Sequence, residues 1–235
     1  MNGRRVNRIF VLLLSALVWS CSEKDAPSSP DKPAALRFYG EFDEQFTRNA
    51  DGTITVDTTW YPIPKFQFID QNGSPVTQKD ILGKIVVADF FFTTCKSICP
   101  IMSSQMSRLQ TLTEKEGLSQ EIIFLSHSVD PLNDRPDTLS QYASRLGANL
   151  QNWKFLTVDT VNFDASYVYD LAKDGYQLTA FPSDTAQGGF FHTDQVALLD
   201  RSLRIRGYYD GTSTSAVDKL FEDIKILVND TTSHR

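Results

Sequence analysis

Cys95 and Cys99 are the residues of this 235-residue sequence whose type and spacing most directly suggest chemistry. They lie in VVADFFFTTCKSICPIMSSQM, where an apolar run from Ile85 to Phe92 leads through a short polar turn into Cys-Lys-Ser-Ile-Cys-Pro. A helical pattern follows. Thiolate is both the nucleophile and the metal ligand, so what matters is what lowers the thiol pKa. A helix amino terminus does so through its free N–H groups and partial positive charge. The two cysteines straddle such a terminus, and Lys96 adds a cation beside them.

The three-residue gap between the cysteines bears on which chemistry they do. Thiol oxidoreductases of the thioredoxin type use Cys-x-x-Cys, one residue shorter. If the segment is helical, residues four apart hold their Cβ atoms about 5–6 Å apart. A relaxed disulfide wants about 3.8 Å. Two thiolates on one metal tolerate a wider gap, because metal–sulfur bonds are near ~2.3 Å. The spacing leans towards a metal and still permits a disulfide after modest rearrangement. Soft thiolates select copper(I) or zinc.

Two cysteines make an incomplete metal site, and histidines are few: His127, His192 and His234. His234 is next to the carboxyl terminus. His127 lies within the strand pattern EIIFLSHSV, where its plain role is packing. His192 stands at the entry to the strand QVALLD. Met102 and Met106 are soft donors too, but their helical spacing reads as core.

The elements that must position these groups can be read from periodicity. LRFYGEF and TITVDTTWYPI flank a turn at Asn49-Ala50-Asp51-Gly52 and predict a hairpin-like extension. KFQFID alternates as a strand, Val76 to Leu82 forms a connector, and KIVVADFFF is a strong strand. Pro100 suits the first turn of the helix that follows the cysteines. EIIFLSHSV, a helix from Thr138 to Leu146 closed by Gly147, the strand NWKFLTVD and the helix DASYVYDLAKDG come next. After a loop from Ser183 to Gly189, FFHTDQVALLD and LRIRGYYDG form a hairpin around Asp200-Arg201-Ser202. SAVDKLFEDIKIL closes the chain as a helix with Val217, Leu220, Phe221, Ile224 and Leu227 on one face. This alternation predicts an α/β fold with a central mixed β-sheet flanked by helices. A cysteine pair after the first long strand makes it thioredoxin-like. In such a fold the turn before the strand QVALLD lies against the cysteine motif, so His192 faces the thiols.

The amino terminus reads as a targeting segment. Arg4, Arg5 and Arg8 precede an apolar stretch from Ile9 to Trp19, too short for a transmembrane helix of roughly 20 residues. It ends in Leu-Val-Trp-Ser-Cys, which resembles a bacterial lipobox. Residues 1–20 are then a lipoprotein signal peptide, Cys21 the lipidated first residue, and 21–34 a flexible Pro- and Ser-rich tether. Residues 35–235 are the folded domain. The expected location is extracytoplasmic, anchored to a membrane by lipid. With Cys21 spent, Cys95 and Cys99 are the domain's only thiols. Exported proteins use disulfides structurally, but so small a ring would constrain the unfolded chain little. The formal charge of −6 becomes −9 once the three signal-peptide arginines are removed. That balance argues against a nucleic-acid partner, which rewards clustered Lys and Arg.

CKSICP, with a His-Thr about ninety residues later and VDPLNDRPDTL between them, resembles the Sco/SenC family of copper proteins. The resemblance covers roughly residues 60 to 228. It implies a thioredoxin fold binding one copper through Cys95, Cys99 and His192. It also implies a role as a copper metallochaperone for the binuclear copper centre of cytochrome c oxidase, so the partner would be that oxidase subunit or another copper protein. The rival implication is a thiol–disulfide oxidoreductase in which Cys95 attacks and Cys99 resolves, reducing the target's cysteines. Phe191 stands where the family often has Asp, leaving the second partner of His192 open. Asp130 and Asp134 match the family's acidic segment, where their plain role is capping a strand end and loop.

Overall fold

The computed structural model describes residues 35–230. The signal peptide, Cys21, the tether and His234 lie outside the described residues. Among these, no helix is long and apolar enough to cross a membrane. Ala35–Arg235 clusters as a unit of its own, and the described hydrophobic core lies inside it.

The chain opens with a hairpin of β1 (Phe42–Arg48) and β2 (Ile54–Trp60). Its turn falls where expected, but β1 begins at Phe42 and LRFY is not part of it. Two contacts divert that stretch to the body. The Arg206 guanidinium donates to the carbonyls of Leu36 and Arg37, and Tyr39 bridges Ile205. Gly40, at φ +104°, then turns the chain into β1.

Next come β3 (Gln67–Ile69), β4 (Pro75–Thr77) and α1 (Gln78–Ile81), so the expected connector carries a short strand and one helical turn. The main sheet has the order β11-β10-β5-β6-β7. Its strands are β5 (Ile85–Phe91), β6 (Ile122–Ser128), β7 (Trp153–Leu156), β10 (Gln195–Leu199) and β11 (Ile205–Asp210). β5, β6 and β7 are parallel, and β10 runs antiparallel to both β5 and β11. This is the mixed sheet the sequence predicts.

Every residue of β5 and β6 is buried, as parallel strands covered on both faces require. Phe91 points to Tyr142 and Phe155, whereas Phe90 points the other way, to His127 and Tyr176. α2 (Cys99–Lys115) packs on both α3 (Pro136–Leu146) and α5 (Thr214–Asn229). Gly147 caps α3 in the left-handed conformation. α4 (Tyr167–Asp170) is a single turn that continues as a π-helical turn, Leu171–Gly175.

FFHTDQVALLD is two strands, not one. β9 (Phe190–His192) pairs with β8 (Ala180–Pro182) in a small separate hairpin, and β10 starts at Gln195. The break at Thr193-Asp194 has its own bonds: Thr193 N–H donates to the Thr179 carbonyl, and Gly211 N–H to that of Asp194.

Candidate metal centre

β5 ends at Phe91, and a turn closed by the Cys95 N–H to the Phe92 carbonyl carries the chain over the sheet's end. Cys95 sits in that loop, and Cys99 is the first residue of α2, followed by Pro100. The stretch between them is not helical, so the helical Cβ estimate does not govern their separation. β9 brings His192 from 93 residues beyond Cys99. The Sγ atoms of Cys95 and Cys99 and a ring nitrogen of His192 all lie within 4.8 Å of one another. The three side chains are 8%, 1% and 5% exposed, so the centre opens to solvent mainly beside Cys95.

Cys99 Sγ is 3.0 Å from His192 Nε2, and His192 Nδ1 is 2.9 Å from the Thr193 carbonyl oxygen. A carbonyl only accepts, so Nδ1 carries the proton and Nε2 turns its lone pair towards the thiols. Thr193, through its backbone, is therefore the second partner of His192, the role the sequence left open at Phe191. Burial holds the imidazole below its ordinary pKa, opposed by the Thr193 bond and Asp194. It is neutral at pH 7 and able to donate a lone pair.

The two thiols differ. Burial raises Cys95, but hydrogen bonds from the Cys99 and Ser97 side chains and the Ser97 and Cys99 backbone together outweigh it and lower the thiol. Burial pushes Cys99 strongly up, and its bond to Cys95 adds to this, since Cys95 takes the charge first. Lys96 is exposed to solvent. The thiol on the helix terminus, Cys99, is thus the raised one, and the lowered thiol, Cys95, owes its shift to hydrogen bonds from Cys99 and Ser97.

Neighbours hold the three in place. The Phe92 ring stands edge-on to His192 at 5.8 Å and packs on Phe190 at 5.5 Å. Gly188 lies over Phe92 so closely that a Cβ there would meet its Cε2 at 2.6 Å, and its φ is +85°. Asp134, fully buried, accepts from Ser128 Oγ (2.6 Å), Thr93 N–H (3.0 Å) and Thr93 Oγ1. It ties the loop after β6 to the residue two before Cys95, which is more than loop capping. Asp130 keeps the local role, accepting from the Asn133 amide at 2.9 and 3.0 Å.

Met102 and Met106 are core residues of α2, as their spacing indicates. His127 is packed in the core among Phe66, Phe68, Phe90 and Tyr176. Thr93, Ser128, Phe92, Gly188 and Thr193 are site residues the sequence does not announce. Only the Thr-Thr before Cys95 hints at a polar turn.

Two thiolates and a neutral imidazole suit copper or zinc. Three donors about 2.0–2.3 Å from one ion stand roughly 3.5–4 Å apart. The three donor atoms, all within 4.8 Å of one another and with Cys99 and His192 at 3.0 Å, are of that order of separation.

Comparison with known proteins agrees with this geometry. Residues 61–229 match the family model described as SCO1/SenC. A SCO1/SenC family lipoprotein from Bacillus anthracis is 30% identical, with a TM-score of 0.65, over 72% of this chain and 95% of that one. BsSco, described with a disulfide switch and as a member of the Sco family of cytochrome c oxidase assembly proteins, is 28% identical. Its TM-score is 0.62, over 72% of this chain and 94% of its own. Copper-bound yeast Sco1 is 25% identical, with a TM-score of 0.54, over 70% and 89% of the two chains.

Proposed function

Because this chain belongs to the SCO1/SenC family, we propose that it is an extracytoplasmic copper metallochaperone with Cys95, Cys99 and His192 as its copper ligands. It delivers the metal to the binuclear copper centre of a cytochrome c oxidase. The membrane anchor in this reading is the lipid on Cys21.

The observation that carries the reading is the orientation of His192. A dithiol that only exchanges disulfides has little need of a third soft-metal donor, and here a buried imidazole brings its free nitrogen to 3.0 Å from the second sulfur. A three-donor copper site needs it. Cys95 and Cys99 hold Cu(I), and His192 completes the site for Cu(II). The more open position of Cys95 is where an incoming thiolate or imidazole begins to displace the ligands one at a time.

Copper titration of wild type beside His192→Ala and Cys95→Ser tests the ligand set. Wild type takes up one copper per chain, and each variant binds it far more weakly. Loaded protein mixed with a copper-free oxidase copper-centre domain then gives up its metal. If wild type binds no copper tightly, the reading fails.

One observation favours a second reading, thiol–disulfide exchange with the target's cysteines. The lowered Cys95 and raised Cys99 are the division of labour expected of an attacking and a resolving thiol. Rapid reduction of a model disulfide, with no tight copper binding, would establish it.

A further inference from the structure

The β1–β2 hairpin precedes the segment matched by the family, residues 61–229, and the copper reading makes no use of it. Its register pairs Phe42 with Trp60, Glu44 with Thr58, Phe46 with Val56 and Arg48 with Ile54. Cross-strand partners share a face, and alternate residues face opposite ways. One face therefore carries the apolar Phe42, Phe46, Ile54, Val56 and Trp60 together with Glu44, Arg48 and Thr58. The other carries Asp43, Gln45, Thr47, Thr55, Asp57 and Thr59.

The apolar face is in solvent. Phe46 is 67% exposed and Ile54 60% exposed, and among the described residues outside the hairpin only Phe38 stacks on it, against Trp60 at the base. A two-stranded hairpin is marginal in water unless its apolar side is covered. Covering this one takes a partner of matching chemistry.

The charges on the face say what. Glu44 and Arg48 bracket Phe46 on β1. Four residues along a strand span about 14 Å, too far for the two to pair with each other. Neither has an ion pair among the described residues. A two-fold axis crossing the strands at the Phe46–Val56 pair sends each position on β1 to its mirror about Phe46. Glu44 of one copy then meets Arg48 of the other, twice, with Phe46 against Phe46 between them. A bilayer would instead have to take up Glu44 in mid-face with no counter-ion.

We propose that the β1–β2 hairpin is a self-association surface that binds the same face of a second copy of this chain, with Glu44 paired to the second copy's Arg48. A face of two seven-residue strands is small beside the roughly 800 Å² per partner of a stable interface, so the dimer is weak and reversible.

Sedimentation equilibrium of residues 35–235, which carry the described core, tests this over about 10–300 µM, the range suited to a small interface. Wild type is expected to dimerise reversibly, and Phe46→Ser to remain monomeric. Glu44→Arg and Arg48→Glu each put like charges together and weaken the dimer about tenfold. Combining E44R with R48E restores the opposite pairs and recovers it. These positions are exposed, and unchanged near-UV circular dichroism verifies that the variants fold. A wild type that stays monomeric overturns the proposal. So do single variants that are weakened with no recovery in the double. Binding to phosphatidylethanolamine–phosphatidylglycerol vesicles that depends on Phe46, with sedimentation unaffected, overturns it in favour of a lipid contact.

Discussion

His192 presents Nε2 to Cys99 Sγ at 3.0 Å because its other nitrogen is bonded to the carbonyl oxygen of Thr193 at 2.9 Å. The imidazole is thereby fixed as a lone-pair donor before any metal arrives. Preorganisation of this kind lowers the cost of binding, since the ring need not be oriented or change tautomer.

The two thiols should be told apart by alkylation. In the reduced, metal-free protein, Cys95 is the more exposed and has its pKa lowered, whereas Cys99 is buried and raised. Iodoacetamide at pH 7 is expected to modify Cys95 first, with Cys99 following only slowly. Peptide mass spectrometry against time checks the order. Equal rates would mean that the hydrogen bonds from Ser97 and Cys99 do not stabilise the Cys95 thiolate.

Asp134 anchors the cysteine loop through Thr93. Asp134→Asn keeps the size but turns an amide N–H₂ towards donors, so at least one buried donor loses its acceptor. The expected cost is about 1–3 kcal/mol of stability, read by urea unfolding. Copper affinity should fall along with it. Ser128→Ala removes both the donor to Asp134 and the acceptor of the buried Asp130 N–H, so a loss of the same order, about 1–3 kcal/mol, is expected.

Gly188→Ala meets two obstacles, a φ of +85° and the Phe92 ring. The left-handed conformation alone costs an alanine about 1–2 kcal/mol, and relieving the contact moves Phe92 against His192. A lower melting temperature and weaker copper binding are expected together. Gly189→Ala has a similar φ but nothing within 4 Å of its Cβ, so it should lose stability with less effect on copper.

Two buried groups away from the thiols should set opposing pH dependences. Burial pushes Asp89 up to about 7 from 3.8, opposed by the Ser126 hydroxyl. The folded state holds its proton longer, so this contribution is whole below pH 3.8 and is lost as pH rises through 7. Burial pulls His127 down to about 3 from 6.5. Its contribution is whole above 6.5 and is lost as pH falls towards 3. Between about pH 4 and 6.5 the slopes, each about 1.4 kcal/mol per pH unit, offset. Asp89→Asn removes one of them, so its stability should rise more steeply with pH across that window than that of wild type. Denaturant midpoints at several pH values check the difference.

Much of the fold is legible in the sequence because it depends on local pattern. The buried strand at Ile85, Pro100 at the helix start, Gly147 at a helix end and the turn at Asn49 each follow from a few neighbouring residues. Local pattern fails where a distant partner competes. Leu36 and Arg37 look like strand, but Arg206 takes their carbonyls. The apolar run through His192 looks continuous, but pairing with Ala180–Pro182 splits it off the main sheet.

The sequence by itself determined the donor types, the Cys-x-x-x-Cys spacing and a histidine at the mouth of a strand, since these are properties of the chain. Tertiary structure alone decided that Cys95 and Cys99 are unequal, that His192 turns Nε2 to the sulfur, and that Asp134 holds the loop at Thr93. The Asp134 anchor and the meeting of Cys99 with His192 join residues 41 and 93 positions apart along the chain, beyond the reach of any periodicity. The tautomer follows from the adjacent Thr193 carbonyl, but only the fold turns the ring to meet it.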